Sequence, residues 1–276
     1  NIEKEYSILL KKIMRKLILL LGMMICCFAV TAQSDSVFAT AEYKFSHIDD
    51  TTQLTFPRTG NMKLYLAKKM SLYIDYDRMN GTLAQATRFP GSRPMDEWKK
   101  LSMTDSYTRN FENEQLIFIA PAGLNSYAIE EKIPVINWTI TQDSKTIKDF
   151  PCQKATCRFR GRDYEAWFCS QIPYSNGPWK LGGLPGLILE AYDVNKDVTF
   201  TFVGFENGSD KAVIEIPTGF EKKTAKEYRQ YREALNRDTN AMVGAASGGN
   251  VLIGRPTAGS GRRTKVLNNP LEKTDN

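Results

Sequence analysis

From residue 36 onward the chain is a succession of short segments in which apolar and polar side chains alternate, joined by turn-like connectors. This spacing constrains the fold more than any other feature. Parallel strands need crossovers of a dozen or more residues, whereas antiparallel neighbours need only a turn. Residues 37 to 48 place Val37, Ala39, Ala41, Tyr43 and Phe45 on one face of a strand; Met70, Leu72, Ile74 and Tyr76 repeat the pattern with Ser71, Tyr73, Asp75 and Asp77 opposite. Further strands are expected over 115 to 120, 136 to 141, 156 to 160, 164 to 170, 187 to 192, 198 to 205 and 212 to 216, with connectors such as Asn195-Lys196 and Asn207-Gly208-Ser209. Two helices interrupt them. One follows Pro94 and lines up Met95, Trp98 and Leu101; the other starts from a Thr218/Glu221 capping box, runs to about Asn236 and carries Tyr228, Tyr231 and Leu235 on a stripe. The expected fold is therefore mainly β, a single curved antiparallel sheet, half-barrel-like, with one or two packed helices.

Charge and histidine content exclude some functions. The net charge of +6 sits at the two ends; residues 33 to 220 hold 21 basic and 23 acidic side chains. A nucleic-acid-binding core needs a basic face to displace phosphate counterions, so no nucleic acid partner is expected. With one histidine, His47, a histidine-rich metal cluster is ruled out, and a nucleophile–histidine pair has a single ring to use.

The N-terminus reads as an export signal. Arg15 and Lys16 follow Met14, residues 17 to 30 are apolar but for Gly22, and Val30-Thr31-Ala32 forms a small-residue cleavage site. The run of 14 residues is shorter than the roughly 20 that span a bilayer. Lipidation at Cys26 or Cys27 is disfavoured because Met23-Met24-Ile25 lacks the small residue such processing uses. Residues 1 to 32 are thus an upstream extension and signal peptide, and 33 to 240 an antiparallel β domain with a C-terminal helix. Residues 241 to 276 are expected to be a mobile Gly/Ala/Ser-rich loop and tail. The expected location is the periplasm or the exterior after cleavage near Ala32, with no membrane span in the mature chain.

Residues 150 to 193 carry the densest set of special residues: Cys152, Cys157 and Cys169, Trp167 and Trp179, and Gly182-Gly183-Leu184-Pro185-Gly186. A hairpin turning over residues 161 to 164 would set Cys157 against Cys169 and Phe159 against Trp167, making Cys157–Cys169 a possible disulfide. Two buried free thiols are the plainer alternative. The C-x4-C-x11-C spacing is one ligand short of a structural zinc site, so no metal or cofactor is expected. The glycine run lacks the Lys-Ser/Thr pair and following helix of a phosphate loop. Leu184-Pro185-Gly186-Leu187 has instead the signature of a type II turn aiming two strands. Asp193, Asn195 and Asp197 imitate a calcium loop but place Val198 where glycine is required.

Around that turn, Trp179-Lys180-Leu181-Gly182 followed by Gly183-Leu184-Pro185-Gly186-Leu187-Ile188 resembles the GLPGLI family of exported bacterial proteins, named for the last six residues. The similarity extends through Cys152, Gly161, Arg162, Tyr164, Ala166-Trp167 and Gly177-Pro178, and returns at Asn268-Asn269-Pro270-Leu271-Glu272. Cys157 and Cys169 stand where the pattern suggests hydroxyl residues. The resemblance implies export to a Gram-negative envelope and a loose association with outer-membrane transport systems; it implies no activity. The function expected is a non-catalytic binding or accessory protein whose concave apolar face holds a lipid-like, apolar ligand or an outer-membrane transport component. The alternative is a thiol enzyme using Cys152, activated by Arg160 or Arg162; a metal-handling protein ranks third.

Overall fold

The computed structural model describes residues 14–16, 34–52, 54, 57–76, 105–122, 125–208, 212–237 and 268–273. The chain divides into two units, residues 1–33 and 34–276. In the first, the described part is a helical turn at 14–16, and the apolar run expected to be an export signal lies outside the described residues. So do the helix expected after Pro94 and residues 241 to 267. No helix among the described residues is long and apolar enough to cross a membrane.

The second unit is mainly β, an open, curved sheet. Its strands are β1 (Ser34–His47), β2 (Arg58–Ala67), β3 (Met70–Asp75), β4 (Ser106–Asn110), β5 (Gln115–Ala122), β6 (Asn125–Lys132), β7 (Thr139–Ile147), β8 (Phe150–Phe159), β9 (Arg162–Cys169), β10 (Leu187–Asp193), β11 (Val198–Asn207), β12 (Val213–Glu215) and β13 (Glu221–Lys223); helix α1 is Ala225–Arg237. The order across the sheet is β13-β6-β5-β4-β3-β2-β1-β11-β10-β9-β8-β7, with β12 pairing the start of β1. Every pair is antiparallel except β13 with β6. β1 is long because it pairs with β2 over residues 37 to 47, with β11 over residues 39 to 47 and with β12 at its start.

Ion pairs reveal how far the sheet curls. Arg160, in the β8–β9 turn, lies 2.7 Å from Glu131 of β6. Nine strand steps separate β6 from β8 in the sheet order, roughly 43 Å if the sheet were flat at ~4.8 Å per step. The two ends must therefore approach each other around a half-barrel. Its inside is filled by the β9–β10 connection, residues 170 to 186, whose Trp179 packs against Phe159 of β8 and Phe200 of β11 while its carbonyl is held by Arg109 of β4.

Four local expectations are corrected. The β8–β9 hairpin turns on two residues, Arg160 (φ 50°) and Gly161 (φ 72°), the double positive φ that suits strand twist. Cys157 consequently faces Tyr164, not Cys169, and Phe159 faces Arg162, not Trp167. Cys157 points inward with Tyr164, whereas Cys169 falls on the other face, so the expected Cys157–Cys169 disulfide is not formed, and Cys152, Cys157 and Cys169 are free thiols. The helix cap is Thr224 with Glu227: the Thr224 N–H and hydroxyl both donate to Glu227 Oε2, and the Glu227 N–H donates back to Thr224 Oγ1. Thr218/Glu221 instead leads into β13, where Gly219 takes φ 80° and Phe220 packs beside Ile117, Ile119 and Ala128. Finally, β3 is covered on both faces, since Tyr73 and Ile74 are both buried.

Candidate functional site

The motif loop is built as an interior wall. Leu184, Leu187 and Ile188 are fully buried. The turn is tighter than the type II form expected: the Gly186 N–H donates to Leu184 O across 2.8 Å, closing three residues around Pro185, and the Leu187 N–H goes to Ile172 O. Gly186 has φ 149° and lies directly on the backbone of Cys169 and Ser170, where a Cβ has no room. Gly177 is needed for a similar reason, since a Cβ there would stand 2.9 Å from Ile188 Cβ. Gly183 takes φ 87° beside Trp138, whose indole N–H donates to Gly182 O. The Pro178 carbonyl accepts from the Leu181 N–H.

One arginine that nothing in the sequence marked holds this loop in place. Arg109 is buried in β4, and its guanidinium donates to the carbonyls of Gly177 (3.4 Å), Trp179 (3.0 Å) and Leu181 (2.7 Å) and to Asn176 Oδ1. The planar fork fits a curved row of carbonyls as an ammonium would not. Burial pushes Arg109 down to about 10, which leaves it charged at neutral pH. Trp179, held at φ 54°, lies parallel to Phe200 and edge-on to Phe159. Tyr164 is buried beside it.

A second buried arginine ties the motif segment to the C-terminal tail. Arg162 pairs with Asp193 at 2.5 Å, and it also donates to Asn269 Oδ1, Pro270 O and Leu271 O. Asn269 in turn donates to Ile48 O and Asp197 Oδ2. Gly161 makes room for the same tail, because a Cβ on it would lie 2.7 Å from Lys273 Cβ and 2.8 Å from Lys273 O. The motif segment and the C-terminal tail, distant in sequence, are thus one contact. Next to it, Lys180 bridges Glu131 and Glu272, Arg160 bridges the same two carboxylates, and a neutral four-charge cluster closes the mouth of the half-barrel.

The remaining sequence candidates separate. Cys152 and Trp167 lie on the outer side, where Lys145 sits 4.3 Å over the Trp167 ring. Burial, then Cys169, pushes the Cys152 thiol up to about 11; burial pushes Cys157 up to about 12. The groups that act on His47 are different ones, Arg58, Arg162, Asp49 and Asn269. The structure does not bring Cys152 and His47 into one site. Among the described residues no group of three or more His, Cys, Asp or Glu could hold a metal.

His47 and Glu131 give stability a pH signature. Burial, with Arg58 and Arg162 nearby, lowers His47 from 6.5 to about 4. Between those values the unfolded chain takes up a proton that the folded chain refuses, so stability falls as the pH drops through that window. Burial works to raise Glu131, but Lys180 and Arg160 outweigh it and hold its carboxyl below 4.5, so its contribution is lost at lower pH still. Urea midpoints from pH 7 to 3 should decline in two stages. His47→Gln should flatten the upper stage and leave the lower one; an unchanged slope between pH 6.5 and 4 would remove His47 from this role.

One recess lies between the sheet and the loop. It is walled by Phe45, Met62, Tyr73, Tyr107, Trp179 and Phe200, roofed by Leu271 of the tail, and rimmed by Arg58, Asp75 and Asp105. Arg58 and Asp105 pair at 3.1 Å, and the Arg58 guanidinium stands 5.1 Å over the Phe45 ring. The enclosed volume of the recess is about 30 Å³, and its mouth is open to solvent.

Comparison with known proteins bears on this segment. A family described as "Protein of unknown function (Porph_ging)" matches residues 160–190, which run from the β8–β9 turn through the motif loop into β10. No curated protein matches the sequence. Among solved structures the chain is similar to PNGF-II in two crystal forms, each at 12% identity and a TM-score of 0.48, covering 72% of this chain and 33% of that one. The chain spans about a third of the length of those structures. The matched stretch thus includes Arg162, Trp179 and the motif loop, which lie inside the half-barrel.

Proposed function

We propose that the chain is an exported, non-catalytic binding or accessory protein of the cell envelope, of the GLPGLI kind, which holds the end of a lipid-like ligand or a side chain of an outer-membrane partner. The observation that carries this reading is the recess, because its walls are aromatic and aliphatic and its rim is charged. Ligand sites are commonly apolar recesses with a few polar groups that set orientation. Two wall residues, Tyr73 and Trp179, each bury a polar atom with no hydrogen-bond partner among the described residues, and an occupant that brings an oxygen acceptor supplies the kind of partner such groups need. The raised Cys152 thiol works against a thiol enzyme, since the thiolate is the nucleophile.

The test is native mass spectrometry of protein purified from the envelope fraction under mild conditions. A bound apolar molecule should be released on denaturation, and Met62→Trp, which fills the recess, should abolish it while the fold is retained. Protein that carries nothing, and that takes up no fatty acid from an added panel, would refute the reading.

A further inference from the structure

The hairpin register that separates Cys157 from Cys169 brings another pair together. Seven successive pairs join β8 to β9, from Phe159 opposite Arg162 to Gln153 opposite Phe168. One more step along the same ladder sets Cys152 level with Cys169, and both lie inside the bounds of their strands. They also share a face. Counting back by two from Lys154 gives Cys152, and counting on by two from Trp167 gives Cys169; Lys154 and Trp167 are paired and look outward. Directly opposed residues of antiparallel strands have Cα atoms about 4.5–5.5 Å apart, inside the span that a disulfide bridges.

We infer that Cys152 and Cys169 are a cross-strand dithiol that closes to a disulfide by exchange with an external disulfide. Both are free thiols in the structure, which is the reduced form of the pair. Cys169 is the strongest electrostatic influence on the Cys152 thiol after burial itself, as expected of close neighbours. Cys157 is excluded because it faces inward with Tyr164.

The chemistry balances as two exchanges. The Cys152 thiol loses its proton, and its sulfur attacks an external disulfide R–S–S–R, giving the mixed disulfide and releasing RS⁻. The Cys169 sulfur, deprotonated in turn, attacks the Cys152 sulfur of that mixed disulfide and releases the second RS⁻. The two protein thiols are oxidised, the external disulfide is reduced to two thiols, and the two protons end on them. Access comes through β7, which is an edge of the sheet. Its Lys145 pairs with Cys152, and a Lys145–Glu190 bridge of 2.8 Å covers the site. Edge elements open locally at less cost than the core, so closure of the pair should be slow in the folded protein.

The experiment uses the folded full chain incubated with glutathione disulfide at pH 8.5, quenched with N-ethylmaleimide and digested without reductant. The expected product is a peptide pair linked through Cys152 and Cys169, with Cys157 alkylated. Cys157→Ala should retain that link, and Cys152→Ala should lose it. Circular dichroism at each time point confirms that exchange occurs in folded protein. Alkylation of Cys152, Cys157 and Cys169 alike in the folded chain at long incubation, or a link that includes Cys157, would overturn the inference. Neither outcome depends on whether the recess binds a ligand.

Discussion

Gly186→Ala should lower stability by about 3 kcal/mol or more, the range reached when a substitution forces a backbone clash. The new Cβ would lie 2.6 Å from the Cys169 carbonyl carbon and 2.9 Å from Ser170 Cα, closer still to Cys169 O, and all three are backbone atoms that cannot rotate away. The residue would also have to hold φ 149°, which side-chain-bearing residues rarely adopt. Relief would require β9 to part from the start of β10, where Leu187 pairs with Cys169. Gly182→Ala is the internal control: its nearest neighbour would be Ser175 O at 3.6 Å, an ordinary contact, so a change within about 1 kcal/mol is expected. Thermal unfolding of the two variants decides it. If Gly186→Ala melts with Gly182→Ala, the loop is not packed as described.

What could be read from the residues depended on whether burial left a mark on composition. β1 and β11 were legible because one face is apolar and the other polar. β4 was not: Ser106, Thr108, Arg109 and Asn110 are all buried, and a polar five-residue stretch gives no period to detect. The polar content is itself the function of that strand, since Arg109 is there to hold carbonyls. Helix α1 was found but started at the wrong box, as Thr218/Glu221 and Thr224/Glu227 have the same spacing and only tertiary packing of Phe220 gives the first to a strand. The hairpin register failed on Arg160, a residue not expected to take positive φ. That single turn moved every cross-strand partner and with it the cysteine pairing. The motif residues were visible as a cluster, but their joint purpose became apparent through Lys273 lying on Gly161 and Asn269 lying on Arg162, contacts across more than 100 positions of sequence.

Arg162→Met should destabilise the protein by about 3–5 kcal/mol, because removing one partner of a buried ion pair leaves the other charge uncompensated. Arg162 and Asp193 have side chains only 1% and 3% exposed. Loss of the guanidinium strands Asp193, although its other oxygen still accepts from the Val198 N–H, and frees Asn269 Oδ1 and the carbonyls of Pro270 and Leu271. Arg162→Lys should recover little of this, since one ammonium cannot reach a carboxylate, an amide and two carbonyls arranged around a planar fork. The loss should appear first in the tail. Hydrogen exchange at Asn269 and Lys273, whose N–H groups donate to Asp49 O and Arg160 O, should accelerate before exchange in β9 or β10 does. For a domain of this size the melting temperature should fall by roughly 6–20 °C. Removing residues 268–276 supplies the second half of a cycle: in that background the cost of Arg162→Met should shrink, because the tail contacts it would break are already gone. A melting temperature for Arg162→Met within about 2 °C of the parent, or an undiminished cost in the truncated chain, would show that Arg162 does not hold the tail to the motif segment.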